Sequence, residues 1–403
     1  METAAAELVD AAVTARVLVF GSLPPAGRDL DLLVRPAEEA ALARLLAEAG
    51  FLRRGHKWGR FGSATPDVVE LVPAATWRLP AAELEALFAE AAPLPGFRHL
   101  VRPAPHHSLL ISARRLAGTG RTAKTMPPTR ADDGGWREAH ARAPLWRARR
   151  ALALLERGVE PGRGARAMAL AEERGWTYAC RLVVPRPRRG AIVSLSGIDG
   201  AGKTSQAQSL VEALGQAGVP AVAVWRPFEG PPALRAAATP VKRALAVLRG
   251  APGDAERSIM AGAGGSTALK EVWTAVLVLV HAVGQRRAAL PHVVRGRVVV
   301  FDRQNLDAIV RLRFVYGERR RHRLPRVLLR ALAPQPRLAW LLDVRPETSY
   351  ERKRDRWPLD ALRRHARLYR EEHAGLGVRR VDGERPQEEI SAELAAEVWS
   401  ELR

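Results

Sequence analysis

One run of eight residues carries the strongest chemical signal in this chain. Gly197, Ile198, Asp199, Gly200, Ala201, Gly202, Lys203 and Thr204 fit the pattern G-x-x-x-x-G-K-[ST], and Ser205 follows. Glycines at these positions let the backbone curl until successive N–H groups and a helix N-terminus face one anion. Lys203 adds positive charge at the β- and γ-phosphates, and Thr204 offers a hydroxyl to Mg2+. The expected ligands are ATP and Mg2+. Asp302 and Arg303 follow the apolar run Arg297 to Phe301. Asp302 suits Mg2+, held directly or through water. Arg303 suits an acceptor phosphate, because its guanidinium presents a fork of donors. Arg352, Lys353, Arg354 and Arg356 form a dense cationic cluster further on.

These groups need a scaffold. Ala191 to Ser196 is apolar and β-prone, which predicts a buried parallel strand before the glycine loop. Leu210, Val211 and Leu214 have helical spacing after it. Further strands are predicted at Val219 to Val224, Arg297 to Phe301, Leu338 to Asp343 and Val378 to Val381. An apolar helix is predicted near 272–283, ahead of Pro291. Strands alternating with helices imply a parallel, doubly wound sheet. Ligands of such sheets lie at the carboxyl ends of the strands, so Asp302 and Arg303 are expected to face the glycine loop.

The ordered set resembles thymidylate kinase: the loop 197–204, Asp302-Arg303, Leu342-Asp-Val-Arg-Pro-Glu347 before an arginine-rich helix, and Val381-Asp-Gly-Glu-Arg-Pro386. The resemblance spans residues 190–403 and implies a P-loop, three-layer α/β/α fold. It implies phosphoryl transfer from ATP to a nucleoside monophosphate, with small-molecule nucleotides as partners. Catalytic roles fall on Lys203, Asp302 and Arg303, and on Arg352, Arg354 and Arg356 as a lid over the donor phosphates. Thr204 and Asp302 would hold the metal. The acceptor would meet Asp199, Arg226, Phe228, His281 and Arg303. His281 stands where the family places an arginine, ten residues before a proline, with Gln285, Arg286 and Arg287 one turn on. Trp225-Arg226-Pro227 lacks the family's Glu, and Gln304 replaces its Tyr. These departures lie on the acceptor side. They keep open a kinase of a non-nucleotide small molecule, or a nucleotide-binding regulator. Folds of this kind often dimerise through apolar helices, and Val272 to Val283 offers a homodimer face.

A second constellation opens the chain. Val17 to Phe20 reads as a strand ending at Gly21 and Ser22, followed by Asp29-Leu30-Asp31. Residues two apart on a strand share a side, so Asp29 and Asp31 can share a metal ion. Pro36 to Ala49 reads as a helix, and the strand Asp67 to Val72 offers a third acid, Glu70 or Asp67. This pattern resembles the nucleotidyltransferase superfamily, and implies an α+β domain. Gly21 and Ser22 would bind nucleotide phosphate, and Asp29, Asp31 and Glu70 would bind Mg2+. A retained fold that binds nucleotide without transferring it is the alternative.

The expected domains are 1–104, nucleotidyltransferase-like; 105–188, a helical connector; and 189–403, kinase-like. In the connector, Trp136 to Arg157 reads as one helix with Leu145 on its apolar side. His106-His107 reads as a helix start, with no acidic or cysteine partner nearby in sequence. Cys180, the single cysteine of 403 residues, excludes an internal disulfide and is expected to be buried. A hydrophobic content of 47% marks a globular chain. The net charge of +21 is mostly arginine spread along the sequence, so nucleic-acid binding is not the expected function. No leader-like segment is read at the start, and the most apolar run is too short for a bilayer. A cytoplasmic protein without membrane contact is expected.

Overall fold

The computed structural model describes residues 4–21, 29–62, 66–120, 133–158, 161–183, 190–225, 267–316, 323–353 and 357–402. The chain is mixed α/β and divides into two compact units, Met1–Arg186 (with Leu402–Arg403) and Pro187–Glu401. Among the described residues, no helix is long and apolar enough to cross a membrane.

The first unit holds seven strands: β1 Val17–Val19, β2 Asp29–Val34, β3 Leu52–Arg54, β4 Lys57–Arg60, β5 Asp67–Pro73, β6 Ala92–Pro93 and β7 Leu100–Arg102. They form one sheet in the order β3-β4-β5-β2-β1-β7-β6, in which β2 runs parallel to β5 and β1 parallel to β7. Eight helices accompany them: α1 Ala5–Ala12, α2 Pro36–Glu48, α3 Ala81–Ala89, α4 Pro105–Thr119, α5 Asp133–Arg142, α6 Arg149–Glu156, α7 Arg163–Arg174 and α8 Trp176–Val183. The two-residue period of a strand sorts the core. Val17, Val19, Leu30, Leu32 and Val34 pack with Val9 of α1 and Leu42 and Leu46 of α2. Leu18 and Leu33 point the other way and join Leu87, Leu110 and Leu152 of the later helices and Trp146 of the turn between α5 and α6. Asp31 has the parity of Leu33, so it belongs to the face that the later helices cover.

The second unit is built on five parallel strands: β8 Ile192–Ser196, β9 Ala221–Trp225, β10 Val298–Asp302, β11 Leu338–Asp343 and β12 Arg379–Asp382. Their order, β12-β11-β8-β10-β9, grows from β8 in both directions. Its helices are α9 Lys203–Gln216, α10 Thr267–Val294, α11 Asn305–Tyr316, α12 Arg323–Leu332, α13 Pro346–Arg352, α14 Leu359–Glu372 and α15 Gln387–Glu401. Strand β10 is buried along its whole length, as a parallel strand covered on both faces must be.

Several expectations change. Helices α4 to α7 share the first unit's core with β1 and β2, so this segment is structural mass of that unit rather than a connector. The single helix expected over Trp136 to Arg157 is two, α5 and α6. Pro144 lies between them, and Arg147 turns through a left-handed φ of 51°. Leu145, expected on the apolar side, is consequently exposed. Helix α10 continues through Pro291 to Val294. Cys180 is exposed, because Ala179 takes the inward position on α8 and its neighbour is rotated by about 100°. The histidine pair does have acidic neighbours, contributed by α3 and α5.

Glu372 on α14 ties three helices of the second unit together. It accepts Arg313 Nη1 of α11 at 2.7 Å and Arg326 Nη2 of α12 at 2.6 Å. Burial alone raises its pKa, but the two guanidiniums more than offset that and hold it below the ordinary value of 4.5. A depressed carboxyl pKa gives stability that is present above 4.5 and fades as pH falls through it. Glu372→Gln is expected to cost roughly 1–3 kcal/mol in urea unfolding at pH 7. The gap to the unsubstituted chain should narrow as the pH drops below 4.5.

Candidate functional site

In the second unit, β8 and β10 lie side by side with Asp302 opposite Leu195, so both strands end at one edge. The glycine loop leaves β8 there and enters α9 at Lys203. Gly200 has a φ of 89°, and a Cβ on it would stand 2.9 Å from the carbonyl oxygen of Ser349. Only glycine fits that close approach to α13. Lys203 is buried under the loop, and its Nζ donates to the carbonyl of Ile198 at 2.6 Å. Burial, and then the charge of Arg303, pull its pKa down to about 8, so it stays protonated at neutral pH. Ile198 and Ala201 are buried. Thr204 and Ser205 are exposed on the first turn of α9.

Thr204 Oγ1 donates to Asp302 Oδ2 at 2.5 Å. Asp302 is buried, and among the described residues its Oδ1 has no hydrogen-bond donor. A buried carboxylate oxygen without a donor, beside a threonine hydroxyl, fits a hard cation with oxygen ligands. Arg303 follows with a φ of 79°, rare for a side-chain-bearing residue, and its Nη2 donates to Asp199 Oδ1 at 3.2 Å. Lys353 Nζ stands 3.7 Å from that same oxygen. Ser349 Oγ donates to the Asp199 carbonyl. Arg352 Nη1 lies 3.5 Å from the Gly200 carbonyl. Helix α13 and its C-terminal neighbour therefore bring basic groups onto the glycine loop. Of the other residues singled out in the sequence, Arg226, Phe228, Arg354 and Arg356 lie outside the described residues. His281 is buried on α10, where its Nε2 meets Gln285 Nε2 at 2.8 Å. Gln304 turns inward, donating from Nε2 to the Pro334 carbonyl at 2.7 Å.

Sequence reasoning missed a buried support under this edge. Asp307 of α11 accepts Ser196 Oγ at 2.7 Å, Tyr369 OH at 2.7 Å and the Gln304 N–H at 3.0 Å. Burial, then the Asp307 charge, push the Tyr369 pKa well up, so its hydroxyl remains a donor. In sequence, Asp307 is one more acid in the first turn of a helix. No motif separates it from a dipole-facing surface acid.

The first unit gathers the other constellation. Asp31 and Glu70 are register partners on β2 and β5, and Asp29 shares their face. This decides which third acid joins the pair. Asp67 instead accepts Arg60 Nη2 at 2.6 Å. Among the described residues, Lys57 Nζ approaches Glu70 at 3.6 Å, and Arg115 Nη1 approaches Asp31 at 3.7 Å. Gly21 backs onto the same spot, since a Cβ on it would overlap the Asp31 carboxylate. Ser22 lies outside the described residues.

Asp31 is buried, and burial, then the charges of Glu70 and Asp29, raise its pKa from 3.8 to about 6. A raised carboxyl pKa means that the folded chain holds the proton more tightly. Ionisation therefore removes stability as pH rises from 3.8 to about 6. Without added metal, Asp31→Asn should stabilise the first unit at pH 7, by at most about 3 kcal/mol, in urea unfolding. The advantage should vanish below pH 3.8. No protein-family model matches this chain, and no curated protein matches it as a relative.

Proposed function

We propose that the Pro187–Glu401 unit is a P-loop kinase of the thymidylate-kinase type, transferring the γ-phosphoryl group of ATP to a nucleoside monophosphate. The reading rests most on the Thr204–Asp302 hydrogen bond of 2.5 Å. It joins the two candidate metal ligands, one from the loop after β8 and one from the end of β10, at a single spot. Thr204 and Asp302 would hold Mg2+, which when bound neutralises charge on the donor phosphates. Phosphoryl transfer asks little covalent chemistry of the protein and a great deal of positioning and charge stabilisation. Lys203 supplies a fixed cation under the loop. Arg303, tethered to Asp199, offers guanidinium donors to an anionic acceptor, and Arg352 adds charge from α13.

The inward turn of Gln304 supports a second reading of the same kinase. The residue in place of the family's tyrosine is spent on the Pro334 carbonyl, so it does not offer an acceptor the contact that the family's tyrosine would, which favours an acceptor other than a nucleotide. For the first unit we propose a nucleotidyltransferase-like site in which Asp29, Asp31 and Glu70 hold Mg2+ and Gly21 leaves space for a phosphate. Its support is the shared face of three acids and the raised pKa of Asp31.

Acceptor-dependent ADP formation, screened over nucleoside monophosphates and then over sugar and metabolite alcohols, separates the two kinase readings. Lys203→Ala should lose about a hundredfold or more of that activity while keeping its circular dichroism. Tight ATP binding with no transfer to any acceptor would replace the kinase by a nucleotide-binding regulator. Pyrophosphate release that persists in Asp29→Ala and Asp31→Ala would reject the proposal for the first unit.

A further inference from the structure

The histidine pair at the start of α4 belongs to neither set of residues above. His107 is fully buried and His106 nearly so, with ring centroids 4.1 Å apart. Glu90, at the C-terminal cap of α3, places Oε2 at 3.0 Å from His106 Nε2 and 3.9 Å from His107 Nδ1. One ring nitrogen of each histidine and one Glu90 carboxylate oxygen all lie within 4.8 Å of one another. Tetrahedral zinc with bonds of about 2.0–2.1 Å needs ligand separations of about 3.3 Å. The triangle therefore needs only side-chain adjustment, within about 1.5 Å, to close on an ion.

The polar environment points to the same use. His106 Nε2 and His107 Nδ1 are both buried; among the described residues His107 Nδ1 has no hydrogen-bond partner, and His106 Nε2 has the Glu90 carboxylate oxygen beside it at 3.0 Å. Buried polar atoms without a partner are costly and rare. The opposite nitrogen of each ring faces a different carboxylate: His106 Nδ1 lies 3.4 Å from Glu138 Oε2, and His107 Nε2 lies 3.4 Å from Glu83 Oε1. For His107 the carboxylate of Glu83 draws the proton to Nε2, which leaves the Nδ1 lone pair toward Glu90; His106 has a carboxylate at each nitrogen, and an ion at Nε2 would take the place of a proton shared with Glu90. This is the carboxylate–histidine–metal arrangement that orients imidazole ligands. The carboxylates are themselves held. Glu83 accepts Trp146 Nε1 at 2.6 Å, and Glu90 Oε1 accepts Arg142 Nη2 at 2.8 Å. Glu90 Oε2 is thereby left toward the histidines. Arg142 Nη1 also stands 3.5 Å from His107 Nε2, and does not donate there when that nitrogen carries the proton.

We infer that His106 Nε2, His107 Nδ1 and Glu90 Oε2 form a binding site for a divalent transition-metal ion of the zinc class, tying the end of α3 to the start of α4. Two imidazoles and one carboxylate oxygen favour Zn2+ or Co2+ over Mg2+, which prefers oxygen donors. The inference does not rest on the kinase reading. The test uses the full chain, stripped with a chelator, returned to excess Mg2+ and titrated with Co2+. Cys180→Ser is the background, so that the exposed thiol contributes nothing. The expected result is one equivalent of Co2+ with the visible bands of a four- or five-coordinate ion, displaced by Zn2+. Glu90→Gln, at a partly exposed position, should weaken binding about tenfold or more, and His106→Asn should do the same. A Co2+ spectrum unchanged in both variants, or no uptake above the Mg2+ background, would overturn the assignment. Should one variant fail to fold by circular dichroism, the other decides.

Discussion

The second unit depends on keeping a buried ammonium ion solvated by protein. Lys203 sits under the glycine loop with almost no exposure, where an uncompensated charge would cost several kcal/mol. The Ile198 carbonyl meets it directly, and the carboxylates of Asp307, Asp302 and Asp199 all favour its charged form. These acids come from a helix, a strand end and the loop itself. They surround one lysine only because β8 and β10 are parallel neighbours that end together. The register of two strands is thus also the electrostatic design of the edge they share.

That edge is braced from below and clasped from above. Below, Asp307 collects a serine from β8, a tyrosine from α14 and a backbone N–H from the turn after β10. A buried acid accepting three hydrogen bonds is well satisfied and locks the elements that donate to it. Arg303 can then keep its left-handed backbone, a conformation that survives only where its surroundings over-determine it. From above, Ser349 and Arg352 of α13 meet backbone carbonyls of the loop. The loop is held on both sides, and preorganised charge of this sort needs no rearrangement to act on an anion.

The first unit uses the opposite balance. Asp29, Asp31 and Glu70 crowd one face of the sheet with too few cations, and Asp31 answers by holding its proton. Like charges gathered at the cost of stability are what a cation site needs. The histidine cluster balances differently again. There each ring has a carboxylate on either side, and Arg142 pairs with all three of the acids, Glu83, Glu90 and Glu138.

Local rules were enough to read much of this chain. Strand hydrophobicity, the glycine spacing of 197–204 and the Asp29-Leu30-Asp31 alternation are properties of short segments, and a segment carries them wherever it ends up. They place β8, α9 and β2, and mark Lys203, Thr204 and the acidic pair, before any long-range contact is known. What the tertiary structure alone decided lies between segments. It chose Glu70 over Asp67, by pairing Asp67 with Arg60 and registering Glu70 on Asp31. It brought Asp307 to Ser196 and Tyr369, and Glu90 to the two histidines. It also turned Gln304 inward and Cys180 outward. Partners from 7 to 111 residues apart meet through strand register and helix packing, which depend on the summed burial of the whole unit and leave no periodic trace in either segment alone.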